Sequence, residues 1–255
     1  MKPFVAFASK EFTEGLRTYR LIILAVILLF LGLMSPLFAK ILPELLSGMD
    51  LGGGIVITAP AATAIDSWAQ FFKNVGQTGM LALIVTFSGI IGSELTRGTL
   101  IILLTKGLKR HTVIMAKFLS ASVMWTASYL LSLAVCYVYT QYFWPAGTLN
   151  NAFLAFVSLW LFGELLIALL IFGGVLFGSS YGSLLTGFGA IGILSLLNVF
   201  PSVHKYNPIT LASDALNLLT GHKPPTDFIP ATVVSIFMVV AFLAMSIVVF
   251  NRKQI

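Results

Sequence analysis

Six stretches of this sequence are long and apolar enough to demand lipid as their solvent: about Tyr19 to Ala39, Val75 to Gly92, Thr112 to Tyr142, Phe153 to Phe177, Tyr181 to Val199 and Ile229 to Phe250. A hydrocarbon core about 30 Å thick is crossed by roughly 20 helical residues. In lipid every backbone N–H and C=O must be paired within the protein, which leaves helices or a closed barrel. Uninterrupted apolar runs such as Leu21 to Leu31 lack the alternation of barrel strands. The expectation is an all-α membrane protein, one transmembrane domain of six helices over residues 1–255, without an internal repeat or a separate soluble domain. Composition agrees: 9% of residues are charged, where a soluble domain carries about 25%.

The formal charge of +6 does not point to nucleic acid, because the Lys and Arg residues fall in short gaps between apolar runs. In that position they orient helices, cations staying on the cytoplasmic side. Lys2, Lys10, Arg17, Arg20, Arg97, Lys106, Lys109, Arg110, Lys117, Arg252 and Lys253 make 11 of the 15 basic residues on one face; Lys40, Lys73, Lys205 and Lys223 make up the other. Both termini are therefore expected in the cytoplasm. Trp68, Phe71 and Phe72 before the second helix, and Tyr139, Tyr142, Phe143 and Trp144 after the third, read as an aromatic belt at the outer interface. The outer loops are about 40–74, containing Gly52 to Gly54, and 201–228, with a short helix from Pro208 to Leu219 closed by Gly221. The first apolar run is expected to be a retained helix, since it is long for a signal-peptide core and no small-residue cleavage site follows it. Cys136 is the only cysteine, so no intrachain disulfide forms.

Residues of about 2–18 project onto an amphipathic helix. Phe4, Val5, Phe7, Ala8, Phe12, Leu16 and Tyr19 share one arc; Lys2, Ser9, Lys10, Thr13, Glu14 and Arg17 share the other. Such a helix lies in the headgroup region, as an anchor or facing a cytosolic partner. Glu11 falls near the apolar arc and is the misfit.

The connection between the second and third helices holds an apolar run, Leu100 to Leu104, among charged residues. It is too short to span and too greasy to leave in water. A helix from about Glu94 to Lys106, with its acid near the start, its base at the end and Gly107 as stop, would offer the run to a groove. A membrane-skimming turn accounts for the same residues equally well.

The chain resembles the ABC-2 type permease family along essentially its whole length. The resemblance rests on Lys10-Glu11-Phe12, on Glu94 with Arg97-Gly98-Thr99-Leu100, on Leu104-Thr105-Lys106 with the basic turn through Arg110 and Lys117, and on Asn207-Pro208-Ile209. It implies that the segment carrying Phe4, Lys10, Glu11, Phe12 and Arg17 is an interfacial helix against an ATPase subunit. It also implies that Glu94, Arg97, Gly98, Thr99, Leu100, Leu104 and Lys106 belong to a coupling helix seated in that subunit. Two permease halves, identical or closely related, and two ATPase subunits would form a bacterial exporter in the cytoplasmic membrane. The chain has no Gly-x-x-x-x-Gly-Lys-Ser/Thr loop, so ATP and Mg are expected on the partner, with no catalytic, cofactor or metal site here. A motor-independent secondary transporter or channel is the alternative, weakened by the scarcity of intramembrane charge.

Glu164, midway along the fourth helix, is either a functional group facing a wet cavity or a hydrogen-bonded residue at a dimer seam. Gly174, Gly178 and Gly182 recur every fourth residue and predict close packing of the fourth and fifth helices through a short turn, with hinging as the alternative. Ser180 sits in a Gly-x-Ser-x-Gly match, but His204 lies at the other end of the fifth helix, so no serine hydrolase is expected. The weakly charged, aromatic-rich helices suit an amphipathic peptide, drug or lipid-like cargo.

Overall fold

A computed structural model describes residues 2–47, 61–105, 107–145 and 149–253. In chain order its helices are α1 (Lys2–Arg17), α2 (Arg20–Ser47), α3 (Ala64–Asn74), a π-helical turn (Val75–Gly79), α4 (Met80–Phe87), α5 (Gly92–Arg97), α6 (Thr99–Thr105), α7 (Arg110–Phe143), α8 (Ala152–Phe177), α9 (Ser180–Leu197), α10 (Pro201–His204), α11 (Thr210–Ser213), α12 (Ala215–Leu219), a 3-10 turn (Pro225–Phe228) and α13 (Ile229–Arg252). No strand occurs among the described residues. Six helical segments are long and apolar enough to cross a membrane: Arg20–Pro43, Ala64–Arg97, Arg110–Phe143, Ala152–Phe177, Ser180–Leu197 and Pro225–Arg252.

The bundle forms around α8, in which every residue from Leu161 to Ile171 is buried. Its sequence is apolar all round, as a helix enclosed by others requires. On its sides pack α13, α9, α7 and α4, while α2 covers α7 and α3. Lipid tails offer no hydrophobic drive for association, so small residues and interhelical hydrogen bonds hold such a bundle. Ser132 Oγ donates to Leu28 O at 2.6 Å where α7 crosses α2 at Gly32. Trp125 Nε1 donates to Trp160 O at 3.1 Å, and Trp160 Nε1 to Thr126 Oγ1 at 2.9 Å. A Cβ on Gly163 would collide with the Trp125 indole, so glycine there makes room for the ring.

The second crossing helix begins at Ala64, earlier than the apolar run suggests, because Thr63 and Asp66 form a capping box at its start. This corrects the aromatic belt: Trp68, Phe71 and Phe72 are 1%, 0% and 4% exposed and pack with Phe156 in the core. Tyr142, by contrast, is 79% exposed. The first outer loop is also shorter than residues 40–74, since α2 continues to Ser47; Gly52 to Gly54 lie outside the described residues. The expected helix from Pro208 to Leu219 is two short helices, α11 and α12, held to α9 by buried Asn207. Its Nδ2 donates to Leu194 O at 2.7 Å and its Oδ1 accepts from Ile209 N at 3.2 Å.

The start of α7, the end of α8 and the end of α13 meet at one end of the bundle. Arg110, first residue of α7, donates through Nη1 to the carbonyls of Phe250 and, at 2.9 Å, Lys253. Lys253 Nζ in turn donates to Val175 O at 2.7 Å, a cation at the C-terminus of α8 where the helix dipole favours it.

Candidate functional site

At that same end, five charged side chains from three elements converge. Lys10, Glu11 and Glu14 come from α1, Glu94 from α5 and Lys117 from near the start of α7. Lys117 Nζ lies 2.7 Å from Glu11 Oε2 and 2.9 Å from Glu94 Oε2. Lys10 Nζ lies 2.9 Å from Glu11 Oε1, 2.5 Å from Glu14 Oε2 and 3.3 Å from Glu94 Oε1. The Lys117 and Glu11 side chains are 1% and 4% exposed, so they form an ion pair removed from solvent.

Local sequence explains the approach. Gly15 has no side chain, and the Met124 thioether fills the place its Cβ would take, which lets α1 lie close on α7. Phe7 packs at the edge of the cluster, with its ring 5.4 Å from Lys10 Nζ and 6.0 Å from Lys117 Nζ. Glu11 therefore belongs on the inward stripe of α1, between Phe7 and Gly15, because a buried cation awaits it there. Lys117, grouped by sequence with the loop cations, is a core residue of α7.

Two ammoniums hold three carboxylates, leaving the cluster one negative charge in excess. Burial alone would lower the Lys10 pKa, but hydrogen bonds to Glu14 and Glu11 and the nearby carboxylate charge outweigh it and hold the value above the ordinary lysine range. Burial alone would raise Glu14, and the hydrogen bond and charge of Lys10 outweigh it, holding Glu14 below the ordinary glutamate value. The carboxylates of Glu11, Glu14 and Glu94 come within 4.8 Å of one another. The Lys10 ammonium, in contact with all three, already occupies the space between them. In this arrangement the three acids are partners of lysine.

The α5–α6 segment corrects the expected single helix of about 94–106. Gly98 takes a left-handed conformation, φ 69°, which glycine adopts without a Cβ penalty, and it splits the segment into two short helices. Gly92 abuts the backbone of Ser179 and Ser180, an approach any Cβ would block. Thr96 Oγ1 donates to Gly178 O at 3.2 Å, so α5 is seated on the α8–α9 turn as well as on Lys117. Leu100 is fully buried within the chain and Leu104 half-buried, so this part of the apolar run finds its groove in the protein itself. Thr96, Arg97 and Thr99 are exposed. Lys106 lies outside the described residues, as do the side chains of Ile101, Ile102 and Leu103.

On α1, Arg17 is exposed, while Phe4 and Phe12 are half-buried against the core. Gly178 is left-handed at φ 68° and makes the α8–α9 turn. Gly174 packs under Ile91, Ser183 and the Gly92 backbone, and Gly182 under Phe177. Glu164 is 4% exposed, and its Oε1 accepts from Ser122 Oγ of α7 at 2.7 Å. Ser180 begins α9 and His204 follows its far end, about 27 Å away by helix rise. His204 instead faces Asp214, with Nε2 to Oδ2 at 3.3 Å.

Sequence reasoning placed Glu94 near a functional end but missed its partner Lys117. The available signal was two misplaced charges of opposite sign, Glu11 on an apolar arc and Lys117 inside an apolar run.

No family model matches the chain. The chain is similar to an uncharacterized transmembrane protein, YxlG, of Bacillus subtilis (strain 168), with 23% identity over 232 residues, covering 89% of each. With the six apolar helices, this similarity identifies a multi-pass membrane protein.

Proposed function

We propose that the chain is the permease half of an ATP-driven exporter of the ABC-2 type, in which α5 and α6 receive the motion of a separate ATPase subunit. The observation carrying this reading is the bridge Glu11–Lys117–Glu94, which ties α5 to α1 and to a membrane-crossing helix through buried charge. A push on the exposed Thr96, Arg97 and Thr99 edge of α5–α6 would not be absorbed by a loose loop. It would pass through Glu94 to α7, and through Gly92 and Thr96 to the α8–α9 turn. Rigid-body rocking of one helix group against another then changes access to a path, with no bond chemistry in this chain.

In this reading the end bearing α1 and both chain ends faces the cytoplasm. ATP and Mg sit on two copies of the motor, and a second permease half, identical or related, completes the path. An amphipathic peptide, drug or lipid-like molecule is the cargo class, and the membrane is the bacterial cytoplasmic one.

The test is reconstitution with candidate ATPase chains. Wild-type protein should co-purify with one of them and transport in proteoliposomes only with ATP. Reversing Glu94 and Arg97 together should abolish transport while hydrolysis continues. Transport by this chain alone, driven by an ion gradient, would refute the assignment.

A further inference from the structure

We infer that a cleft beside the ion cluster binds the phosphate headgroup of an anionic phospholipid. The cleft encloses about 520 Å³ between the α1–α2 corner and α5, and its free wall is made by Thr18, Arg20, Gly89, Ser93, Arg97 and Thr99. The opposite wall is the Lys10, Glu14 and Glu94 side of the cluster already described.

Charge accounting separates the two walls. Glu14 and Glu94 are committed to lysines at 3.3 Å or less. Arg20 and Arg97 make no hydrogen bond or close ion pair with any described residue; Arg20 stands near enough to Glu14 for its charge to help hold that carboxyl down, and both guanidinium groups face the cleft with their N–H donors uncommitted. Paired guanidiniums are the side chains best matched to phosphate oxygens, which they can bind in bidentate fashion. The hydroxyls of Thr18, Ser93 and Thr99 add neutral donors on the same wall. Gly89 leaves the floor open, the nearest atoms to a Cβ there being Ser180 Oγ at 3.4 Å and Arg20 Nη2 at 3.8 Å.

Position selects a lipid among phosphate ligands. Arg20 is the first residue of a membrane-crossing helix, so its guanidinium stands at the boundary of headgroups and hydrocarbon. Ile23, about 60° round the helix from Arg20 at about 100° per residue, is 50% exposed and offers apolar surface along which an acyl chain can lie once the phosphate is held. Basic recesses between membrane helices are a recognised form of anionic-lipid site. A bound lipid would also cross-brace the α1–α2 corner to α5, the elements that the proposed function gives to coupling. The binding inference itself needs no ATPase.

The experiment is native mass spectrometry of the purified chain from mixed micelles containing phosphatidylglycerol and phosphatidylcholine. Wild type should retain phosphatidylglycerol preferentially. Arg20→Gln with Arg97→Gln should lose about thirtyfold in that preference, the equivalent of about 1 kcal/mol for each basic side chain beside an anionic headgroup, while Lys73→Gln at the opposite end should not change it. Gly89→Leu, which fills the floor without altering charge, should lose the same preference, so that a misfolded arginine variant cannot decide the matter. Undiminished preference in both the arginine and the glycine variants overturns the inference. Displacement of the lipid by millimolar inorganic phosphate would overturn the lipid source in favour of a soluble anion. Displacement by an ATPase chain that itself requires Arg20 and Arg97 would assign the cleft to a protein acid instead.

Discussion

Lys117→Met is the most direct test of the buried bridge. The substitution keeps the length of the side chain and removes an ammonium that touches two carboxylates at 2.7 and 2.9 Å from a position 1% exposed. Breaking a buried pair by removing one partner costs about 3–5 kcal/mol, because the remaining charge is stranded. Here two carboxylates are left, which argues for the upper end. Lys10 still reaches Glu11 at 2.9 Å and Glu94 at 3.3 Å, but its side chain is 44% exposed, and screened pairs of that kind are worth about 0–1 kcal/mol. The expected loss therefore stays within about 3–5 kcal/mol, lowered from its upper end by at most about 1 kcal/mol for each residual pair. Neutralising the acids as well, in the triple variant Glu11→Gln, Glu94→Gln and Lys117→Met, should restore most of it, since well-packed neutral groups can replace a buried ion network at little cost. Reversible unfolding in mixed micelles measures both. A loss below about 1 kcal/mol for Lys117→Met, or a triple variant less stable than the single one, would refute the claim that the pair is buried and interdependent.

Three further outcomes follow from the geometry. Gly163→Ala should destabilise by about 1–3 kcal/mol through collision with the Trp125 indole, and Gly163→Ala with Trp125→Phe should recover part of that in the same unfolding assay. Gly98→Ala should cost about 1–2 kcal/mol because φ is 69° there, and limited proteolysis should show faster cutting between α5 and α6. Glu14 has a folded-state pKa held below the ordinary value, so its pairing with Lys10 stabilises the fold above the unfolded-state pKa of about 4.5 and is lost as pH falls through the lowered one. The melting-temperature gap between wild type and Glu14→Gln should accordingly be present at pH 7 and close under acid conditions.

Much of the architecture was legible in the sequence because lipid imposes a length and an apolar character that soluble packing does not. The third to sixth crossing segments fall close to their apolar runs for that reason. Where polar residues extend a helix, the runs misled: Asp66, Gln70 and Lys73 interrupt hydropathy, yet they lie on α3 while Trp68, Phe71 and Phe72 turn inward. The split of α5 from α6 hangs on the sign of one torsion at Gly98, which apolar periodicity cannot report. The ion cluster was half legible. Each charge stood out singly, but pairing residues 11, 94 and 117 requires knowing that α1 folds back across α7, a contact made possible by the bare backbone at Gly15.

The π-helical turn at Val75–Gly79, closed where Met80 N donates to Val75 O, has a consequence for how chain length can vary in this rod. Inward-facing pairs recur as Ser67 and Trp68, Phe71 and Phe72, then Gly79 and Met80, Leu83 and Ile84, a phase maintained only because the wider turn absorbs a surplus residue. Deleting one residue inside it should let ordinary helix resume with both flanks still aimed at α8. The same deletion among residues 80–87 would swing one flank by about 100° and present Leu83 or its neighbours to lipid. Yield and monodispersity of the two shortened proteins would tell them apart, and the turn is then a place where this membrane segment can lose a residue without losing its alignment.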